Sequence, residues 1–367
     1  MHELIIIGSG PIGCYLGQLL KKRGVSPVLI EEHKELGKPI HCAGLVGRKV
    51  FEETHIPLSS DCIINTINGA VIHLEDDVMH IRRKEVAYVI DREKFDKKLG
   101  ENLTIHFETK FLGLEKEGAR YIVETDKGDF EADTVIGADG AKSLVREFVS
   151  PNHMSYLKGV QFRMECKPHY SDMVEVYIEK PHFYWIIPEA NNRIRIGVLS
   201  QTPYHDLLNF IKERKLEGTI LEKFAGMVPL THFAPISKER IFLIGDSASQ
   251  LKPLTYGGIY MGMRGAEMLA ECIARRDLAA YSPLWTKRFG RELGMALKAR
   301  ELFFRLTDDD VRRIFAFVKK RVAIIEERGD FENHASLVWE FLKDPGTSKE
   351  ILNILFKIIK ASLPNGL

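Results

Sequence analysis

An α/β architecture is expected of this chain: a parallel-sheet domain, an antiparallel-sheet domain that covers it, and a helical C-terminal region. Three observations lead there. Strand, glycine turn and helix follow one another near residues 4–30, and again near residues 241–273. Between residues 158 and 199, FRMECK, DMVEVYIE and RIRIGVLS alternate apolar with polar residues, as in a sheet with one buried face. From residue 281 onward the apolar spacing is helical.

The first unit is LIIIGSGPIGCYLGQLLKKRGVSPVLIEE. Residues 4–7 read as a short strand buried on both faces. Gly8, Gly10 and Gly13 form G-x-G-x-x-G, with Pro11 and Ile12 inside it. Residues 12–22 have helical spacing, Gly24 closes the helix, and residues 27–30 form a second strand that ends at Glu31 and Glu32. Gly8 permits the tight turn, Gly10 lets the backbone approach a pyrophosphate, and Gly13 lets the helix pack close to the strand. The helix N-terminus offers unpaired N–H groups to the anion. Glu31 stands at the position that accepts from a ribose. This is a Rossmann-like dinucleotide fingerprint in its required context, although it does not itself choose FAD over NAD.

Three later segments bear on that choice. AYVIDREKFDKKL places Arg92 and Asp96 four apart on a helix, where taken alone they read as a solvated ion pair. FEADTVIGADGAKSLVREFV ends a strand at Asp139 and Gly140, followed by Ser143 and Arg146. It also reads as an ordinary turn into a helix. ERIFLIGDSASQLKPLTYGGIYMGMRGAEMLAECI ends a strand at Gly245 and Asp246. Its loop carries Pro253, Gly257 and Gly258 into a small-residue helix that begins near Ile259. Such a helix start suits an anion or a polarised ring.

Composition narrows the function classes. The 367 residues are 45% hydrophobic and 28% charged, with a net charge of +1, so no nucleic-acid partner is expected. Cys14, Cys42, Cys62, Cys166 and Cys272 are scattered, with no CxxC pair, which argues against a metal site or a disulfide framework. Reduced thiols fit a cytoplasmic protein. The N-terminal apolar run is cut by glycines and a proline and does not read as a signal peptide. No run of eighteen apolar residues is available to span a membrane.

Together GSGPIG with Glu31, DREKFD, ADGAKS and IGDSASQLKPLTYGG resemble the FAD-binding pattern of the flavin hydroxylase and geranylgeranyl reductase superfamily. The resemblance covers about two thirds of the chain and implies a p-hydroxybenzoate hydroxylase-like fold. It implies that FAD is held by Gly8, Gly10, Pro11, Ile12, Gly13, Glu31 and Glu32, then by Cys42, Ala43, Gly44, Arg92, Asp139 and Gly140. The remaining expected contacts are Gly245, Asp246, Pro253, Gly257, Gly258 and Ile259, with Gly257 and Gly258 near the isoalloxazine.

Two stretches point within that superfamily. GKPIHCAGLVG resembles the cysteine-glycine loop of archaeal geranylgeranyl reductases, in which a cysteine faces flavin and substrate. A buried structural role for Cys42 stays open beside that one, as does tuning of its thiol by His41. FYWIIPEANNRIRIGV is similar to the family's Y-x-W-x-F-P…G-x-G stretch, but Tyr184 and Trp185 are adjacent, Ile187 replaces Phe, and Leu199 replaces the second glycine. Adjacent residues of a strand point to opposite faces, so the changed spacing turns one ring away. Cys42, Tyr184 and Trp185 are the expected catalytic and tunnel residues.

The expected FAD-binding domain is discontinuous, over 1–60, 88–155 and 238–290. The substrate or cap domain covers 61–87 and 156–237, and the helical region covers 291–367. Residues 349–361 read as an amphipathic helix that docks on the core or lies on a membrane surface. The leading function is saturation of isolated C=C bonds in a geranylgeranyl lipid, with NAD(P)H or another reductant as electron donor. The alternatives are a flavin monooxygenase of an aromatic or quinone-like substrate, and a flavoprotein that binds prenyl lipid or passes electrons without altering its ligand.

Overall fold

The structure, a computed structural model, describes residues 2–54, 60–151, 154–230, 234–334, 336–344, 346–347, 349 and 351. Most of the expected C-terminal amphipathic helix, residues 352–361, lies outside the described residues.

Among the described residues, sixteen strands divide into two sheets of eight. The first contains β1 (His2–Ile7), β2 (Val28–Ile30), β6 (Thr104–His106), β7 (Phe111–Glu117), β8 (Arg120–Thr125), β9 (Phe130–Gly137), β15 (Ser237–Lys238) and β16 (Ile241–Leu243). The second contains β3 (Leu45–Gly47), β4 (Ile63–Leu74), β5 (Asp77–Ile90), β10 (Tyr156–Glu165), β11 (Val174–Glu179), β12 (His182–Glu189), β13 (Arg193–Ser200) and β14 (Thr219–Pro229). The helices are α1 (Pro11–Lys21), α2 (Lys49–Glu52), α3 (Arg92–Gly100), α4 (Val145–Val149), α5 (Pro203–Glu213), α6 (Ile259–Ala274), α7 (Tyr281–Arg305), α8 (Asp308–Lys319), α9 (Val322–Arg328) and α10 (Ser336–Lys343).

In the first sheet β6, β2, β1, β9 and β16 run parallel in that order, as the double-faced burial of Leu4, Ile5, Ile6 and Ile7 requires. The sheet carries an addition that the periodicity does not announce, the β7–β8 hairpin paired to the start of β9. Helix α1 returns over the sheet with Leu16, Leu19 and Leu20 buried. It meets α6 where small residues let the two approach: a Cβ on Gly262 would stand 2.8 Å from Ile12. Likewise a Cβ on Gly13 would run into the Gly8 carbonyl, so the close helix–strand packing expected of the motif is present.

The second sheet has the order β14-β10-β13-β12-β11-β4-β5-β3. It is antiparallel except at its centre, where β11 pairs with β4 in parallel. That junction corrects the expectation of a wholly antiparallel sheet. Strands β4 and β11 are separated by much of the first domain, so no hairpin constrains their relative direction. The two faces of the sheet are covered differently. On one face Phe162, Tyr184, Ile186, Ile194, Ile196 and Val198 pack against Leu207 and Phe210 of α5. On the other, Ile67, Ala87, Val89, Val174 and Ile187 gather with Ala43, Val176, Trp185 and Phe331. This second face turns toward the first sheet. Helix α8 closes its far end with Val311 and Phe315 against Leu74 and Met79.

Candidate active site

Between the two sheets lies a cavity of about 1550 Å³. It is larger than the roughly 300–1,000 Å³ of a single small-molecule pocket, so it has room for a dinucleotide and a second ligand.

The first wall is the end of β1 and the start of α1. Gly10 is the N-cap, in extended conformation, and open space stands where its Cβ would be. At the end of β2, Glu31 is buried and accepts four hydrogen bonds. Ser9 N and Oγ reach Oε2 at 2.8 and 2.9 Å, and His33 N and Nδ1 reach Oε1 at 3.0 and 2.6 Å. Burial works to raise this carboxyl, but the donors of His33 and Ser9 outweigh it and hold it below the usual carboxylate value. Glu32 is exposed at the rim.

Arg92 and Asp96 form a bidentate pair at 3.1 and 2.9 Å. Their side chains are only 12% and 5% exposed, so the solvated-pair reading is corrected: Arg92 lines the cavity. Burial alone would lower the guanidinium, but the Asp96 charge and the neighbouring Cys42 sulfur, within hydrogen-bond reach, reverse the shift and raise it. Thus Arg92, not His41, is the cation beside Cys42; His41 turns its Nδ1 to the Ala225 carbonyl at 2.6 Å.

Asp139 and Asp246 end parallel strands of the first sheet and stand half-buried at the cavity wall. Burial raises both carboxyls, against the Ser143 hydroxyl at Asp139 and the Arg146 and Arg92 charges at Asp246. Asp139 Oδ2 accepts from Val145 N at 3.2 Å, while Oδ1 has no donor. Arg146 braces the Asp246 turn by donating to the carbonyls of Asp246 and Ser247. Gly257 and Gly258 lie at the wall in close quarters: a Cβ would stand 2.7 Å from Lys252 Cε or 2.8 Å from Asp246 Oδ1, so a larger residue would have to displace one of these side chains.

The cysteine loop faces this wall. Cys42 is half-buried in the cavity lining, and Gly44 N donates to its sulfur at 3.3 Å. Trp185 lines the cavity and donates from Nε1 to Gln161 at 2.9 Å. Tyr184, expected beside it, points through the opposite face and stacks on Phe210 with centroids 4.2 Å apart. The strand alternation of β12 decides this, and the expectation that both rings line the tunnel is corrected to Trp185 alone.

Gly8, Pro11, Ile12, Ala43, Gly140, Gly245 and Ile259 also line the cavity. Gly13, Gly44 and Pro253 do not form its lining and act behind it. Residues missed from sequence complete the site. Arg195 is a buried charge in the apolar strand β13; it donates to Glu189 at 2.5 Å, to the Ala43 carbonyl at 2.7 Å and to the Ile90 carbonyl at 3.1 Å. Lys252 pairs with buried Glu332 at 2.9 Å, bringing the C-terminal region to the glycine loop. Neither is set apart in the sequence: Arg195 takes a polar place in an alternating strand, and Lys252 stands in a mixed polar loop.

These groups fit a flavin dinucleotide. There is space at Gly10 for the pyrophosphate, a carboxylate at the end of β2 for a ribose, and a donorless buried oxygen on Asp139 for a hydroxyl.

The comparisons agree. The pyridine nucleotide-disulphide oxidoreductase family matches residues 5–178. An uncharacterized protein of Methanocaldococcus jannaschii is 30% identical over 386 residues, covering 96% of this chain and 98% of that one. Digeranylgeranylglycerophospholipid reductase 1 of Methanococcoides burtonii is 28% identical over 369 residues, covering 87% and 88%. Among solved structures, a geranylgeranyl bacteriochlorophyll reductase-like protein from Thermoplasma acidophilum superposes with a TM-score of 0.81 at 23% identity, over 96% of this chain and 99% of that one. Aklavinone-11 hydroxylase in complex with FAD and aklavinone gives 0.64 at 16% identity, over 81% and 68%, and places the p-hydroxybenzoate hydroxylase-like fold in the same frame. The chain is a member of the geranylgeranyl reductase family of FAD-dependent oxidoreductases.

Proposed function

We propose that this enzyme saturates isolated C=C bonds in a prenyl chain of the geranylgeranyl type, as the names of its relatives describe for them. The observation that carries this reading is the apolar half of the cavity. Ile67, Ile72, Val174, Val176, Trp185 and Ile187 form a wall that continues from the cysteine loop along the second sheet. A polar or compact substrate leaves such a wall unused, whereas a prenyl chain covers it.

When bound and reduced, FAD supplies a hydride to one carbon of the alkene. The other carbon needs a proton, and the electron-poor centre between the two events needs shielding from water. The Trp185 face is placed to stabilise developing positive charge. Cys42, fixed by Gly44 N and by the Arg92 guanidinium, holds the proton or the water that delivers it. Glu31, Arg92, Asp139 and Asp246 hold the cofactor, with Gly257 and Gly258 allowing close approach to the ring.

The test is anaerobic. The holoenzyme is reduced with dithionite, given a geranylgeranyl lipid, and the product mass is followed. Stepwise gains of two hydrogens are expected. No gain with the flavin still reduced overturns the reading, and oxygen uptake on adding an aromatic then identifies a monooxygenase. Cys42→Ser is expected to keep FAD and lose most turnover; full turnover in that variant removes the thiol from the reaction.

A further inference from the structure

One wall of the cavity carries a charge that the flavin site leaves unused. Arg300, on the last turns of α7, lines the cavity between the rings of Tyr256 and Phe304, 5.4 and 5.5 Å from their centroids. Tyr256 in turn stacks on Phe183, with centroids 6.0 Å apart and planes within 3°. The Nε of Arg300 is buried and has no hydrogen-bond partner. Among the described residues no carboxylate pairs with Arg300, and the adjacent acid, Glu301, is taken by Lys298 at 2.8 Å. This wall reaches the surface, because Phe304 is 41% exposed and Pro181 and Thr255 are exposed beside it.

A buried guanidinium donor without an acceptor is unfavourable in a closed, aromatic setting. The Tyr256 hydroxyl is within hydrogen-bond reach of the guanidinium, but the aromatic faces that hold the charge in place supply no acceptor for Nε. The planar fork of arginine matches the oxygens of a phosphate, and Arg300 is half-buried in the cavity lining, where such a fork meets less competing water than on an open surface.

We propose that Arg300 binds the phosphate group of the prenyl substrate at the cavity mouth, with the chain running inward past Phe183 and Trp185. The proposal rests on the prenyl reading above. Its ligand chemistry is a prenyl phosphate ester, whether a free prenyl phosphate or the head group of a phospholipid.

Binding to the oxidised holoenzyme tests this without turnover. Geranylgeranyl phosphate, a digeranylgeranyl phosphatidylglycerol and geranylgeraniol are titrated by calorimetry. At least one phosphate ligand is expected to bind roughly 10- to 100-fold tighter than the alcohol, the range set by a charged hydrogen bond. Preference for the monoester identifies a free prenyl phosphate, and preference for the lipid identifies a head group. Arg300→Gln is expected to abolish the preference and leave geranylgeraniol binding unchanged. Arg300→Lys is expected to keep part of it. If Arg300→Gln fails to fold or to keep FAD, the wild-type ratio and Arg300→Lys decide. Equal binding of phosphate and alcohol by the wild type overturns the anion site and leaves the prenyl reading standing. Equal weakening of all three ligands in Arg300→Gln, with a lowered melting temperature, overturns it in favour of a purely structural brace. No binding of any prenyl ligand removes the prenyl reading and the anion site together.

Discussion

Arg195 joins three parts of the chain through one guanidinium: Glu189 of its own sheet, the Ala43 carbonyl beside Cys42, and the Ile90 carbonyl just before Arg92. Glu189 is held in turn by Arg163 at 2.8 Å. The cluster thus fixes Cys42 and Arg92 relative to the second sheet. Gly44 is part of the same arrangement, for its φ is +69° and a Cβ there would meet the Arg195 guanidinium. Removing one member of a buried pair costs about 3–5 kcal/mol, because the other is left uncompensated. Arg195→Met is therefore expected to lower the melting temperature by several degrees and to loosen the Cys42 loop. The second effect is measurable as faster maleimide labelling of Cys42, since Cys14, Cys62, Cys166 and Cys272 are all buried. Unchanged labelling would disprove the clamp. Arg195→Lys is expected to resemble Arg195→Met, since lysine has no planar fork to span both carbonyls. Nothing in RIRIGVLS reveals this role. Alternation separates the two faces of a strand, but a polar face covered by another domain looks the same in sequence as one covered by water.

The segment after α9 behaves as one unit that pins the helical region to the site. Lys252 donates to Glu332 Oε2 and to the Phe331 carbonyl, each at 2.9 Å, and Lys49 pairs with Asp330 at 2.6 Å. His334 follows directly, and burial and the Lys252 charge push its pKa down to about 3, against the opposing pull of Asp330. The imidazole is neutral when folded but takes up a proton near 6.5 when the segment is released. Its contribution to stability is complete above pH 6.5 and declines as pH falls toward 3, where the unfolded state binds the extra proton. Glu292 acts in the opposite sense: burial and Asp330 push it up to about 7, so its neutral form favours the fold at low pH and that contribution is lost as pH rises through 7. Between pH 6.5 and 4.5 the two contributions offset each other in the wild type, so the acid destabilisation by His334 is read as a difference: relative to its own midpoint at pH 7.5, His334→Gln is expected to hold a higher midpoint at pH 4.5 than the wild type does. Parallel curves for the two proteins would exclude His334 as the cause. At this scale the readable elements were those that repeat a local pattern, such as β1 and α1, or β16 and α6. Strand β14, helix α5 and the β7–β8 hairpin are not legible in this way because their sequences are mixed and tertiary packing selects their form. The Lys252–Glu332 pair was invisible for another reason: eighty residues separate partners that only the closed fold brings together.

The cavity belongs to neither sheet alone. Gly10 and Asp246 come from the first, Val176 and Trp185 from the second, and Arg300, Glu332 and His334 from the helical region. The local glycine motifs were legible because one turn of chain determines each, whereas the substrate wall depends on how the sheets face each other. A ligand bound to all three regions stabilises the folded state by mass action, by about 2.7 kcal/mol at one hundred times its dissociation constant. Stripping FAD is therefore expected to lower a single cooperative melting transition, and titrating FAD back is expected to raise it continuously. Asp246→Asn tests whether the Asp246 carboxylate carries that linkage. It keeps the shape of the Asp246 turn, which Arg146 holds through backbone carbonyls and not through the carboxylate. Its apoprotein should melt close to the wild-type apoprotein, while FAD should raise its midpoint less at every concentration. A second transition indifferent to FAD would mean that one sheet folds independently, and the cavity would then be a contact between two stable bodies instead of the core of one.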